Sequence, residues 1–107
     1  SAQTLGMALR ELATNATKYG SLSIPEGRVD IRWSVTDSPT GDRLMLEWVE
    51  SLGPPPAGSP RRGFGTRVIE QLVAGTLMAE VRLDMPPSGL TWRLDAPLAN
   101  LAPETAA

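Results

Sequence analysis

A chain of 107 residues with 41% apolar and 21% charged side chains has the length of one domain and enough apolar material for a core, which argues against wholesale disorder. Its net charge of −2 excludes a broad basic footprint for nucleic acid, and the lack of cysteine excludes disulfides and thiolate metal sites. There is no histidine either, so a Ser-His-Asp triad, a histidine general base and the commonest zinc sites are excluded, and any chemistry must use carboxylates, amides, basic groups and backbone dipoles.

Residues 3–19, "QTLGMALRELATNATKY", place Leu5, Leu9, Leu12 and Ala16 at helical spacing, with Lys18 in the last turn and Gly20 where a C-cap would sit. "SLSIPEG" reads as a loop. "RVDIRWSV" alternates Val29, Ile31, Trp33 and Val35 with polar residues, the pattern of a half-buried strand, and "RLMLEWVE" follows the turn "TDSPTGD" as a second, more buried strand. The two form a predicted antiparallel hairpin. "SLGPPPAGSPRR" is too rich in proline and glycine for regular structure and reads as a functional loop. "GFGTRVIEQLVAGTLMA" opens on glycines and continues as a helix through Val68, Ile69, Leu72 and Val73. "EVRLDM", the turn "PPSG" and "LTWRLDAP" form a second hairpin, and residues 99–107 read as a flexible tail beyond one partial domain over residues 1–98. The order helix–hairpin–helix–hairpin predicts an α+β two-layer sandwich, a mostly antiparallel sheet covered on one face by helices. No apolar run reaches membrane-spanning length and no signal peptide is visible, so this segment is expected to be cytoplasmic, without direct membrane contact.

Three groups of residues could carry chemistry. On the first helix, at about 100° per residue, Glu11, Asn15 and Lys18 fall within roughly 60° of one another, well away from the leucine stripe. Carboxamide and carboxylate oxygens are hard ligands suited to Mg²⁺, and an ammonium one turn on suits a phosphate oxygen. The plain alternative is a solvated face, although Asn inside a helix is intrinsically unfavourable there. In "RRGFGTRVIEQ", Gly63 and Gly65 before a helix leave backbone N–H groups accessible at the positive end of its dipole, and Arg61 and Arg62 add charge. The alternatives at this second place are an anion site and an ordinary helix start. Third, Glu50 closes a strand directly before the flexible loop, either as an acceptor for an exocyclic amine or as a surface residue. Trp33, Trp48 and Trp92 read as core filler, while Tyr19 lies at the edge of the polar face.

Taken in order, "ALRELATNATKYGSLS", "LEWVESLGPPP", "RRGFGTRVIEQL" and "PSGLTWRLDAPL" resemble the nucleotide-binding domain of bacterial sensor histidine kinases of the HWE type, over nearly the whole chain to Leu98. The first block resembles that family's N box, "WVE" its W-x-E signature, and "GFGTRVIE" its second glycine box. The resemblance implies a Bergerat-type site for ATP and Mg²⁺. Asn15 would be the Mg²⁺ ligand, Lys18 a phosphate contact and Tyr19 a neighbour of base or ribose. Glu50 would read the adenine amine, Gly63 and Gly65 would offer amides to the phosphates, and Thr91 would support the adenine pocket. Residues 51–62 would form the ATP lid, and Glu11 would organise the metal's waters. The sequence departs from the family at Arg10, where the N box usually has His, and at Leu52, where the first glycine box has Gly.

The expected function is therefore the ATP-binding catalytic part of a two-component histidine kinase, presenting the γ-phosphate to a histidine on another domain or subunit. The chain lacks that histidine and reads as a fragment of a longer kinase. The implied partners are the dimerisation and phosphoacceptor domain of the parent kinase and, through it, a response regulator, with no nucleic acid. Two rival expectations remain. One is a degenerate scaffold that keeps the fold and binds no nucleotide, favoured by Leu52 and Arg10. The other is a hydrolytic ATPase that would use Glu11.

Overall fold

The structure is a computed structural model that describes residues 2–53 and 62–101, with side chains in the second block described from residue 70. Helix α1 spans Ala2–Lys18, strands β1 and β2 span Arg28–Thr36 and Arg43–Ser51, helix α2 spans Arg62–Leu77, and strands β3 and β4 span Glu80–Asp84 and Thr91–Pro97. Two 3-10 turns, Ser21–Ser23 and Leu98–Leu101, follow α1 and β4. The strands form one sheet in the order β1-β2-β4-β3, antiparallel throughout. Both predicted hairpins are present, and the second places β4 at the centre beside β2. With α1 and α2 packed side by side, this is the α+β fold that the element order predicts.

Register and period two divide the sheet into two faces. On one, Leu46 and Trp48 of β2 stand opposite Leu94 and Trp92 of β4, and Val81 and Leu83 of β3 stand opposite Leu94 and Trp92 in turn. Ala8, Leu12 and Ala16 of α1 and Val73 and Leu77 of α2 complete the core with them. The Trp48–Trp92 pair sits at its centre, both indoles nearly excluded from solvent, which supplies the largest apolar area per residue that the chain has. The other face is polar. There Arg93 Nη2 lies 2.6 Å from Glu47 Oε2 and Arg43 Nε 2.8 Å from Asp95 Oδ1, partly exposed pairs that add little stability each.

The structure corrects the sequence reading at two places. β1 is an edge strand, and of its apolar row only Val29 packs against the core, while Ile31 and Val35 are exposed and Trp33 is 70% exposed. Alternation identifies which residues share a face, but not whether anything covers that face, so Trp33 is not core filler. The first residues of the expected tail, 99–101, are ordered. Leu98–Leu101 turn back onto the helices, Leu101 is buried, and Asn100 Nδ2 donates to the Leu77 carbonyl at 2.9 Å, capping the end of α2. The remainder of the expected tail, 102–107, lies outside the described residues.

Candidate functional site

The last turns of α1 hold the first group. Thr4, Ala8, Leu12, Asn15 and Ala16 are the buried residues of the helix, so its inner face is rotated from the leucine stripe toward Asn15. Asn15 is 7% exposed, which removes the solvated-face alternative for that residue. Its Nδ2 donates to Glu11 Oε1 at 3.4 Å, one turn back. Lys18 is exposed and Tyr19 half-buried on the following turn. The helix ends with the Tyr19 amide donating to the Asn15 carbonyl at 2.8 Å and the Gly20 amide to the Ala16 carbonyl at 3.1 Å. Gly20 has an extended backbone, φ −110°, rather than the left-handed geometry of a glycine cap.

This turn delivers Ser21 to Glu50. The Ser21 amide donates to Glu50 Oε1 at 3.1 Å, and the Trp48 indole N–H donates to Oε2 at 3.0 Å. Glu50 is 3% exposed, so the surface-residue alternative fails for it as well. A buried carboxylate that receives two N–H groups is held in one orientation and acts as an acceptor. The approach of chain segments here is close. A Cβ on Gly27 would stand 1.3 Å from the Ser21 carbonyl oxygen, and one on Gly53 would stand 2.3 Å from Ser21 Cα, so only glycine fits on either side. Sequence reasoning missed two members of this cluster. Trp48 could have been found, since residues i and i+2 of a strand share a face and W-x-E puts indole and carboxylate side by side. Ser21 gave no signal, being one of two serines in "GSLS".

The other expected residues are distributed less simply. Thr91 pairs with Val49 across β2 and so belongs to the face opposite Glu50, while Leu90 is buried and its carbonyl accepts the Glu50 amide at 2.8 Å. The register therefore places Thr91 on the opposite face of the sheet from the Glu50 side chain. α2 opens at Arg62, so Gly63 and Gly65 lie within its first turn rather than before it, Gly63 among the first amides that no helical carbonyl can satisfy. Arg61 and most of the expected lid, 54–61, lie outside the described residues. Among the described residues no three His, Cys, Asp or Glu side chains are grouped as a metal site.

Leu52, where the resembling family has glycine, is 67% exposed with φ +60°. The position thus retains the left-handed conformation that favours glycine while carrying a branched side chain. Such geometry costs an L-residue about 1–2 kcal/mol, and the greater freedom of an unfolded glycine offsets part of that. Leu52→Gly is expected to stabilise the fold by about 0.5–1 kcal/mol, read as a raised midpoint in urea with unchanged slope. A lowered midpoint would show that Leu52 contributes packing which outweighs the strain.

No family model matches the chain. It is 37% identical over 102 residues to a blue-light-activated histidine kinase of Brucella anthropi, covering 94% of this chain and 21% of that protein. The corresponding protein of Brucella ovis is 37% identical over 94 residues, covering 88% of this chain and 19% of its own. The chain thus spans about a fifth of the length of the curated relatives it matches. Among solved structures, the histidine kinase domain of the Erythrobacter litoralis blue-light-activated histidine kinase superposes with a TM-score of 0.66 at 28% identity, over 92% of this chain and 45% of that one. A longer structure of the same protein gives a TM-score of 0.65 at 29% identity, over 90% of this chain and 30% of that one. The helix pair on a four-stranded antiparallel sheet matches the fold of that histidine kinase domain. This chain is a homologue of the histidine kinases, matching one segment of them.

Proposed function

We propose that the chain binds Mg·ATP and serves as the catalytic segment of a sensor histidine kinase, presenting the γ-phosphate to a histidine on another domain or subunit. The observation that carries this reading is a pair of buried polar side chains, one near the end of α1 and one near the end of β2. Asn15 and Glu50 are 7% and 3% exposed, within a segment homologous to histidine kinases over 94% of its length. Both are held in place by hydrogen bonds within the protein, and buried polar groups fixed in one orientation are what a nucleotide site uses to orient its ligand.

The donor set fits magnesium. Mg²⁺ takes oxygen ligands, retains several waters and is commonly held by one or two protein groups together with phosphate oxygens. Asn15 would hold it, with Glu11, already hydrogen-bonded to Asn15, orienting its waters. When bound, the ion would neutralise charge on the phosphates. Phosphoryl transfer asks little covalent chemistry of the protein, so positioning and charge compensation suffice. Lys18 would supply a flexible cation from the exposed end of α1, the first amides of α2 at Gly63 and Gly65 would face phosphate oxygens, and Glu50 would accept the base's exocyclic amine. Tyr19, half-buried, would lie against base or ribose. Arg61 and Arg62 would contribute charge at the mouth of the lid, and the phosphoacceptor domain and response regulator would come from the parent kinase and its circuit.

Calorimetric titration with a non-hydrolysable ATP analogue, with and without Mg²⁺, tests the reading. Saturable binding enhanced by magnesium is the expected result. A folded sample that gives no heat would favour the second reading, a kinase-like interaction scaffold, for which the exposed, left-handed Leu52 is the specific observation.

A further inference from the structure

We propose that Ser21 is a ligand-contacting residue, whose hydroxyl bonds the edge of the purine base next to the amine that Glu50 accepts. The inference rests on the nucleotide reading above and adds a base contact to it. Ser21 is 2% exposed, and its Oγ has no hydrogen-bond partner among the described residues. A serine hydroxyl carries one donor and two acceptor sites, and leaving all of them unmet in the interior is unfavourable, so such a group calls for a partner that arrives later.

Its surroundings indicate which partner. Ser21's own amide holds Glu50 Oε1 at 3.1 Å, so the hydroxyl is only three bonds from the atom that orients the carboxylate. The segment has little room to turn the hydroxyl toward water by moving its backbone. Gly27 abuts the Ser21 carbonyl and Gly53 abuts its Cα, each too close to accept even a methyl group. Trp48 fixes the other carboxylate oxygen at 3.0 Å. The result is an oriented acceptor and an amphoteric hydroxyl set together at the start of the expected lid. Six-aminopurines carry that complement on one edge, an exocyclic amine that donates and an adjacent ring nitrogen that accepts. Glu50 takes the first, and the Ser21 hydroxyl donates to the second. A six-oxopurine reverses both groups. Its carbonyl would face the Glu50 carboxylate, which has no proton to give, and this pair of residues would disfavour it.

Ser21→Ala separates this role from a structural one. In the absence of nucleotide, removing an unbonded buried hydroxyl is expected to leave the unfolding midpoint unchanged or raised. The same variant is expected to bind the non-hydrolysable ATP analogue about 3- to 10-fold more weakly, the loss of one hydrogen bond. Equal affinity in Ser21→Ala and the parent would overturn the assignment. Weaker binding accompanied by a lowered midpoint would also overturn it, by assigning the hydroxyl to the fold instead. The parent titration, run alongside, distinguishes the two levels. If the parent itself does not bind, the nucleotide reading fails and the Ser21 contact with it, whereas a binding parent with an unaffected variant refutes the Ser21 contact alone.

Discussion

Asn15→Ala is expected to abolish the magnesium dependence of nucleotide binding while leaving the chain folded. The side chain lies inside α1, where alanine has the higher helix propensity by roughly half a kcal/mol, so the backbone gains from the change. The group left behind, Glu11, is only half-buried and can take water in place of the Asn15 amide. The site, in contrast, loses the oxygen that would hold the ion. Even supporting groups around a bound metal cost about 10- to 100-fold in affinity when removed, and a direct ligand is expected to reach the top of that range. Titration of the variant with the ATP analogue at low and high Mg²⁺ would show the two curves converging. If magnesium still strengthened binding as it does in the parent, Asn15 would have to be withdrawn as the ligand.

Gly27→Ala is expected to be the most damaging single methyl addition to the fold. A Cβ there would sit 1.3 Å from the Ser21 carbonyl oxygen and 2.3 Å from its carbon, and both are backbone atoms. They cannot swing aside as a side chain would, so the whole turn after α1 must shift. A loss of about 3 kcal/mol is expected, the upper end for overpacking, which lowers the melting midpoint of a domain this size by roughly 12–24 °C. Gly6→Ala is the matched control, since nothing lies within 4 Å of a Cβ there and the residue is inside α1. That change is expected to stabilise by about 0.5–1 kcal/mol. Similar melting curves for the two variants would mean that Ser21 is not pinned as described. The displacement in Gly27→Ala should also reach Glu50, through the Ser21 amide that bonds it.

Much of this architecture could be read from the residues because the elements carry strong periods. α1 repeats its leucines at helical spacing, β1 and β2 alternate, and the proline- and glycine-rich breaks fall between them, so element order and fold class follow from local chemistry. What the sequence left hidden depends on relations between elements. The apolar row of β1 alternates like any core strand, yet its burial depends on the neighbours that reach it, and Trp33 remains outside. Thr91 and Leu90 differ by one position, and only the β2–β4 register tells which one shares a face with Glu50. Asn15 was compatible with a solvated face as well as with a ligand role, and only the packed helix shows it among the buried residues. Ser21 could not be distinguished from its neighbours by spacing or type. Its importance comes from two glycines, one six residues after it in sequence and one across the sheet's end.

The unequal settings of the three tryptophans give the molecule a built-in optical reporter. Trp33 is 70% exposed and should emit to the red and be quenched readily by a soluble agent such as acrylamide, while Trp48 and Trp92 are 4% and 1% exposed and shielded from it. Trp48 is also the indole bonded to Glu50, so its emission should respond to whatever approaches that carboxylate. Replacing Trp33 with phenylalanine would remove the solvent-exposed background. The two buried indoles would then report events at the Glu50 cluster from inside the protein, without any attached dye.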